Sequence, residues 1–335
     1  MNHACILGLA GPTLTRTERA FFREVKPWGF ILFKRNCESP DQIRKLTDAL
    51  RRAVDHEQAP VLIDQEGGRV QRLGPPNWPK YPSAKAYGAA LDYDPQLRRE
   101  MTRLGARLMA HDLRKLGINV DCAPVLDVPQ PGVHDVIGDR AYGPDPDTVA
   151  SLGRAAAEGL IAGGVLPVMK HMPGHGRTNV DSHLDLPRID APLKTLKAVD
   201  FKPFRMNSDL PMGMTAHMVF KAVDAKHPAT QSPKVIKLIR EEIGFEGLLM
   251  TDDISMKALG GTFDARSRAA IRAGCDVVLH CNGDPDEMKG VVKGSGRLKG
   301  QAKERARAAL ARLAREPEPF DEAQARARFN QVFAA

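Results

Sequence analysis

The chain has 335 residues, of which 42% are hydrophobic and 27% charged, a composition typical of a globular protein with a sizeable core. Its formal charge is +8, and its five cysteines are dispersed without a CxxC pair, which argues against a disulfide framework or a thiolate metal site. No apolar run approaches a membrane span, and the first residues, MNHACILGLAG, lack the basic segment of a signal peptide. We therefore expect a cytoplasmic protein.

Short apolar runs alternate with helical segments, the pattern of βαβ units and a parallel sheet. The predicted strands are Cys5–Leu9, Gly29–Phe33, Pro60–Ile63, Ile118–Cys122, Val165–Met169, Gly213–Ala216, Leu248–Met250 and Asp276–Leu279. The predicted helices are Thr17–Val25, Pro40–Val54, Pro95–Leu116, Thr148–Ala162, Pro192–Phe204, Pro233–Ile243 and Ala265–Ala273.

This order of elements predicts an α/β fold with a single (β/α)8 TIM-type barrel over residues 1–335, followed by a C-terminal helical tail from Glu316. Length alone would also allow two domains. An open, doubly wound sheet is the alternative fold, although neither GxGxxG nor GxxxxGK[ST] follows any predicted strand.

Charged or polar residues follow most of the predicted strands. They are Lys34 to Asn36, Asp64, Asp121, Lys170 with His171, His217, Asp252 with Asp253, and His280 to Asn282. In a barrel, the carboxyl ends of all strands meet at one rim, where the active sites of this fold are built. Because an unpaired buried charge is costly, these positions together indicate a site rather than a core.

The loop from Lys170 to Pro187, KHMPGHGRTNVDSHLDLP, concentrates histidine, aspartate and glycine. Within it, Asp181 stands two residues before His183. This spacing lets the carboxylate hold one ring nitrogen while the other faces a substrate. The loop is therefore interpreted as catalytic, and a solvated surface connection is the alternative. His175 is expected to help shape the loop.

A second group of acids follows the seventh predicted strand, at Asp252 and Asp253. Side chains alternate along a strand, so we expect only one of the two to be a reacting group, and either could instead cap a helix beginning near Ile254. Together with Asp181 and His183, such a carboxylate would permit retaining glycoside hydrolysis. The carboxylate attacks a carbon, while the imidazole protonates the leaving oxygen and later deprotonates water.

Six motifs carry a resemblance to a known family. They are GFILFKRN at 29–36, DQEGGRVQR at 64–72, APVLD at 123–127, GDRAYG at 138–143, the loop at 170–183 and TDDISM at 251–256. With them the sequence resembles the single-domain bacterial β-N-acetylglucosaminidases (β-hexosaminidases) of glycoside hydrolase family 3, which act in peptidoglycan recycling. The resemblance covers nearly the whole chain.

The resemblance implies a role for each matching position. Asp252 would be the nucleophile that forms a covalent glycosyl-aspartate intermediate, and His183 the general acid/base with Asp181 as its partner. The residues implied to hold the non-reducing N-acetylglucosamine are Asp64, Arg72, Arg140, Lys170 and His171. The implied substrate is N-acetylglucosamine β-linked to 1,6-anhydro-N-acetylmuramic acid, with or without peptide, and neither a metal nor a cofactor is required.

Two other functions remain open. A metal-dependent barrel hydrolase would also cluster histidine and aspartate at strand ends, although HExxH is absent from the sequence. A non-enzymatic barrel could use its basic surface to bind nucleic acid or a cell-wall fragment. The basic residues of 293–315 lack interleaved aromatic residues, however, and are interpreted as a solvated helix face. We expect a monomer that acts on a small muropeptide and binds neither nucleic acid nor membrane. His217 is expected either to line the sugar pocket or to make a structural hydrogen bond.

Overall fold

Eight parallel strands form a closed barrel in the computed structural model, which describes residues 2–89, 94–132, 136–178 and 186–333. The strands are β1 (His3–Leu7), β2 (Pro27–Leu32), β3 (Val61–Ile63), β4 (Val120–Asp121), β5 (Leu166–Met172), β6 (Met212–Thr215), β7 (Leu248–Asp253) and β8 (Val277–His280). Each pairs with its neighbours in sequence, and β1 pairs with β8, which places Cys5 opposite Val278. All eight predicted strands and the (β/α)8 barrel are confirmed.

Helices connect the strands and surround the barrel. They are α1 (Arg16–Val25), α2 (Pro40–Val54), α3 (Ala84–Ala89), α4 (Pro95–Arg114), α5 (Pro146–Ala162), α6 (Leu193–Ala198), α7 (Lys202–Met206), α8 (Pro233–Glu241), α9 (Phe263–Ala273), α10 (Pro285–Ser295), α11 (Gly300–Ala311) and α12 (Glu322–Phe333). The side chains of Ser39 and Ser232 cap α2 and α8 just before a proline, as the Ser-Pro pairs predict. No helix in the described ranges is both long and apolar enough to cross a membrane.

Three helical segments differ from the prediction, and one of them is the short helix α3, which was not predicted. The predicted helix Pro192–Phe204 is divided into α6 and α7, because Pro203 has no N–H to continue an α-helix and instead occupies the first turn of α7. Helix α10 was not predicted, since Gly290 and Gly294 lower helix propensity. Both glycines allow close packing against α9. A Cβ at Gly294 would lie 2.3 Å from the carbonyl oxygen of Asp264.

The alternation of side chains divides the buried residues into two layers. Leu248 and Met250 of β7 belong to the cluster inside the barrel, whereas Leu249 packs in the layer between the strands and the helices. The same alternation places the side chain of Asp252 on the inner side of the strand end. Alternation along β7 alone therefore directs the side chains of Asp252 and Asp253 to opposite faces of the strand.

The predicted C-terminal helix is present as α12 and packs on α4. Arg326 donates a hydrogen bond to Asp112 at 2.6 Å, and Asp112 also accepts one from the Tyr81 hydroxyl at 2.6 Å. Phe329 is buried against Tyr81 and Tyr87. The tail thus supports the long segment that follows β3. This segment begins with the Asp64–Arg72 motif.

Candidate active site

A cavity of about 300 Å³ opens at the carboxyl ends of the barrel strands. Six of the predicted site residues line it: Asp64, Arg72, Arg140, Lys170, His171 and Asp252. The two other predicted catalytic residues, Asp181 and His183, lie outside the described residues. Apolar side chains, including those of Ile31, Phe33 and Met214, complete the walls.

Ion pairs connect five charged side chains along one wall of this cavity. Asp64 accepts hydrogen bonds from Arg72 at 2.9 Å and from Lys170 at 2.8 Å. Lys170 also contacts Glu66 at 2.7 Å, and Glu66 accepts two hydrogen bonds from Arg140, each at 2.8 Å. The order Arg72–Asp64–Lys170–Glu66–Arg140 therefore alternates positive and negative groups, and we call it the ionic chain.

The ionic chain keeps Asp64, Glu66 and Lys170 charged although they are largely buried. Burial alone would raise the pKa of Asp64, but Lys170 and Arg72 outweigh it and hold that pKa well below its usual range. The pKa of Glu66 is lowered in the same way, with Lys170 and Arg140 overcoming burial. Burial would lower the pKa of Lys170, yet Asp64 and Glu66 raise it above the ordinary value. At neutral pH the wall presents fixed charges to a ligand.

A second buried carboxylate, Asp127, orients His171. Its Oδ2 lies 2.7 Å from Nδ1 of His171, and its Oδ1 accepts hydrogen bonds from the backbone amides of His171 at 3.1 Å and His175 at 2.7 Å. A carboxylate only accepts, so Nδ1 of His171 carries the hydrogen. The other ring nitrogen, Nε2, is thereby left for the cavity that His171 lines. Asp127 thus fixes both the ring and the start of the predicted catalytic loop.

The two aspartates after β7 differ in their contacts. Asp253 accepts hydrogen bonds from the backbone amides of Ser255 at 3.0 Å and Cys281 at 3.2 Å, and from the Ser255 hydroxyl at 2.6 Å. It therefore ties two loops together. Asp252 accepts one from the Asp253 amide at 2.7 Å. Both aspartates line the cavity, but only Asp253 is engaged by three such donors. The expectation that only one of the pair is available to react agrees with these contacts.

Neighbouring groups favour the ionised form of Asp252. Burial alone would raise its pKa, but His171, His217, the Asp253 amide and Lys170 together hold it below the ordinary value. A carboxylate with a lowered pKa is ionised at neutral pH and can act as a nucleophile.

His217, which helps to lower the pKa of Asp252, is held in a fixed position. Its Nδ1 lies 2.7 Å from the Thr230 hydroxyl oxygen, and its Nε2 lies 2.9 Å from the Asp253 carbonyl oxygen. Both nitrogens are therefore in hydrogen-bonding contact with the protein. Of the two roles left open by the sequence, the structural hydrogen bond is the one that these contacts support.

Three of the polar strand ends do not face the cavity. Asp121 accepts a hydrogen bond from the Gln65 amide at 3.0 Å, and His280 contacts Glu287 at 2.8 Å. Arg35 donates to the Leu9 carbonyl oxygen at 2.9 Å. Asp121 and His280 directly follow Val120 and Leu279, whose side chains lie inside the barrel. Their position at the rim is as expected, but the alternation along the strand turns them away from the site.

The sequence motifs contained two further functional candidates that received no role. Glu66 lies two residues after Asp64 within DQEGG, a spacing that can place both on one side of an extended segment. Asp127 ends APVLD, but its contact with His171 joins residues 44 positions apart and has no local signal. Among the described residues, no group of three His, Cys, Asp or Glu side chains is arranged to hold a metal ion.

The family model for the glycosyl hydrolase family 3 N-terminal domain matches residues 13–315. The chain belongs to glycoside hydrolase family 3. A family member named beta-hexosaminidase from Alkalilimnicola ehrlichii is 40% identical over 293 residues, which are 86% of this chain and 83% of that protein. This family 3 enzyme is accordingly a glycoside hydrolase of the β-N-acetylhexosaminidase class, acting on a small glycoside.

Solved family 3 structures agree with this assignment. NagZ from Neisseria gonorrhoeae, in complex with N-trifluoroacetyl-D-glucosamine, superposes with a TM-score of 0.84 at 30% identity and covers 99% of this chain and 96% of its own. A family 3 β-N-acetylglucosaminidase from Paenibacillus sp. str. FPU-7 gives a TM-score of 0.87 at 31% identity, covering 98% of this chain and 67% of its own. The family resemblance seen in the sequence is confirmed, together with β-N-acetylglucosaminidase activity.

Proposed function

We propose that the protein is a retaining exo-β-N-acetylglucosaminidase that removes terminal β-linked N-acetylglucosamine from muropeptides during cell-wall recycling in the cytoplasm. Its substrate would be N-acetylglucosamine joined to 1,6-anhydro-N-acetylmuramic acid, with or without peptide. The observation that carries the proposal is the ionised carboxylate of Asp252 in a cavity of about 300 Å³. That volume is at the lower end of the range for ligand sites, which suits a single terminal sugar.

The proposed reaction has two displacements. Oδ1 of Asp252 is held by the Asp253 amide, and we assign the attack on the anomeric carbon to Oδ2. His183 protonates the glycosidic oxygen as the bond to the leaving sugar breaks, and a glycosyl-aspartate ester forms. His183 then takes a proton from water, the water oxygen bonds to the anomeric carbon, and Asp252 leaves as a carboxylate. Two inversions retain the β configuration, and Asp181 would orient His183.

The ionic chain supports the proposed sugar-binding roles of four of its members, which are Asp64, Arg72, Arg140 and Lys170. Charged groups make stronger hydrogen bonds to sugar hydroxyls than neutral groups do. The charges are already paired with one another, so a neutral sugar can bind without leaving an isolated charge in the cavity.

Hydrolysis of p-nitrophenyl β-N-acetylglucosaminide tests this proposal. The wild type should release nitrophenol, and Asp252→Ala should lose almost all turnover while keeping the thermal melting curve of a folded protein. A proton NMR time course should show that the β anomer of N-acetylglucosamine appears first, since two displacements retain configuration. Initial appearance of the α anomer would refute the covalent intermediate.

The metal-dependent alternative is separated by a chelator. NagZ from Neisseria gonorrhoeae has also been solved in complex with zinc ion, so the assay is run with and without EDTA. We expect EDTA-resistant turnover, and loss of activity on chelation with recovery on adding zinc would favour metal-assisted hydrolysis. Cleavage of the purified muropeptide tests the natural substrate separately, and the monomeric state stays a prediction for light scattering.

A further inference from the structure

Glu66 joins two cations of the cavity wall that come from separate parts of the chain. It lies in the short strand Gln65–Gly67, whereas Arg140 ends the turn Gly138–Arg140 and Lys170 belongs to β5. Its side chain is 6% exposed. Oε1 lies 2.8 Å from Nη2 of Arg140 and 2.7 Å from Nζ of Lys170, and Oε2 accepts from Nε of Arg140 at 2.8 Å.

Arg140 depends on Glu66 for its position more strongly than Lys170 does. Lys170 has a second carboxylate partner in Asp64 at 2.8 Å. For Arg140, Glu66 is the carboxylate that binds it through two parallel hydrogen bonds within the described residues. Without the carboxylate, two like charges would face each other in a buried wall, which favours their separation.

The geometry also determines which donors remain for a ligand. An arginine carries five N–H groups, and two of those on Arg140 donate to Glu66. A lysine ammonium carries three N–H groups. On Lys170, one of them is directed to Glu66 and one to Asp64, which leaves the third for a ligand. Glu66 thereby sets the direction of the remaining donors.

We infer that Glu66 is a positioning residue for sugar binding: it holds Arg140 and Lys170 together so that their remaining N–H groups meet the hydroxyls of the terminal sugar. This inference rests on the proposed function. Glu66 would not touch the reacting atoms, and its removal should weaken binding more than it slows the chemical step.

The test compares Glu66→Gln with the wild type. The amide keeps the size of the side chain, but its NH2 group cannot accept a hydrogen bond from Arg140. We expect KM for p-nitrophenyl β-N-acetylglucosaminide to rise roughly tenfold to hundredfold, the loss of a charge-assisted contact, with kcat changing much less. The inhibition constant for free N-acetylglucosamine should rise by a similar factor. Glu66→Asp keeps the charge on a shorter side chain and should fall between the two.

Asp276→Asn is the matched control. Asp276 is also a buried carboxylate that binds two cations, Arg240 at 2.7 Å and Arg305 at 3.1 Å, but it precedes β8 at the opposite end of the barrel. The Asp276→Asn substitution should lower the melting temperature and leave KM unchanged.

The inference is overturned if KM and the inhibition constant stay at wild-type values in both Glu66 variants. It is equally overturned if Asp276→Asn raises KM as much at the same loss of melting temperature, because the effect would then be one of general stability. A wild type that does not hydrolyse the glycoside at all would instead refute the proposed function, and the role of Glu66 with it.

Discussion

Replacing Asp127 by Asn would change the chemistry of His171 while preserving most of the packing around it. The asparagine oxygen can accept the two backbone hydrogen bonds from His171 and His175 that Oδ1 of Asp127 now accepts. Its NH2 group then faces Nδ1 of His171, which can no longer donate. The ring proton must move to Nε2, and the cavity-facing nitrogen becomes a fixed donor on a neutral ring.

The size of the effect follows from the lost contact. A hydrogen bond to a charged group contributes about 1.5–3 kcal/mol, which corresponds to roughly a tenfold to 150-fold loss in kcat/KM if His171 acts through its orientation. A second effect is expected on Asp252. Its pKa is raised by burial and lowered first by His171, so a change in the tautomer and orientation of that ring should allow the pKa of Asp252 to rise. Because the ionised form is the proposed nucleophile, the acid limb of the pH profile should move to higher pH.

The assay is kcat/KM for p-nitrophenyl β-N-acetylglucosaminide between pH 4 and pH 9, with samples quenched in alkali before absorbance is read. Asp276→Asn again serves as the control, since Asp276 accepts a backbone hydrogen bond from Leu249 at 2.9 Å in addition to its arginine contacts. An Asp127→Asn protein with the wild-type pH profile and kcat/KM would refute the role assigned to Asp127. An equal loss in Asp276→Asn would attribute the defect to weakened folding.

Two predictions concern the start of the loop. Burial, followed by the neighbouring His171, lowers the pKa of His175 to about 4, whereas an unfolded histidine titrates near about 6.5, so the unfolded state binds the proton first. Stability should therefore fall by up to about 3 kcal/mol as pH drops from about 6.5 to 4, and urea unfolding of His175→Gln should lack that part of the loss. A Cβ at Gly176 would lie 1.9 Å from the Val128 carbonyl oxygen, so Gly176→Ala should cost about 1–3 kcal/mol by the same measurement. Gly11→Ala, where a Cβ meets no neighbour within 4 Å, should cost much less, and equal costs would contradict the packing argument.

The barrel could be predicted because its signals are local. Strands covered on both faces are almost continuously apolar, and helix starts such as Ser39-Pro40 carry their own capping chemistry. Helix α10 escaped because Gly290 and Gly294 serve contact with α9, a requirement that is set by tertiary packing. The local sequence shows that these glycines lower helix propensity, but it does not show the neighbouring helix whose close packing requires them.

The site was only partly predictable for a related reason. Charged residues at strand ends indicated the rim of the barrel. Since Val120 and Leu279 point inward, the alternation of side chains would also have predicted that Asp121 and His280 point away from the site. The partners within the site could not be deduced in this way. Lys170 and Asp64 are 106 positions apart, and the order of charges in the ionic chain depends on how three separate segments of the chain meet. The family resemblance supplied positions for the proposed sugar-binding residues but gave no role to Glu66 or Asp127, the carboxylates that bind Arg140 and His171.

The balance of charge in the cavity links these observations to a neutral terminal sugar. The ionic chain contains three cations and two carboxylates, and Asp252 and Asp253 also line the cavity, so its carboxylates outnumber its lysine and arginine side chains by one. A neutral sugar adds no charge to such a site, whereas an anion bound there would add to the excess of negative charge. In the proposed reaction, positive charge develops at the anomeric carbon beside the Asp252 carboxylate, which interacts more strongly with it than with the ground-state sugar. In this proposal the carboxylates that hold the cations and the carboxylate that reacts belong to one electrostatic arrangement, and we therefore expect Glu66 and Asp127 to affect activity although neither touches the bond that breaks.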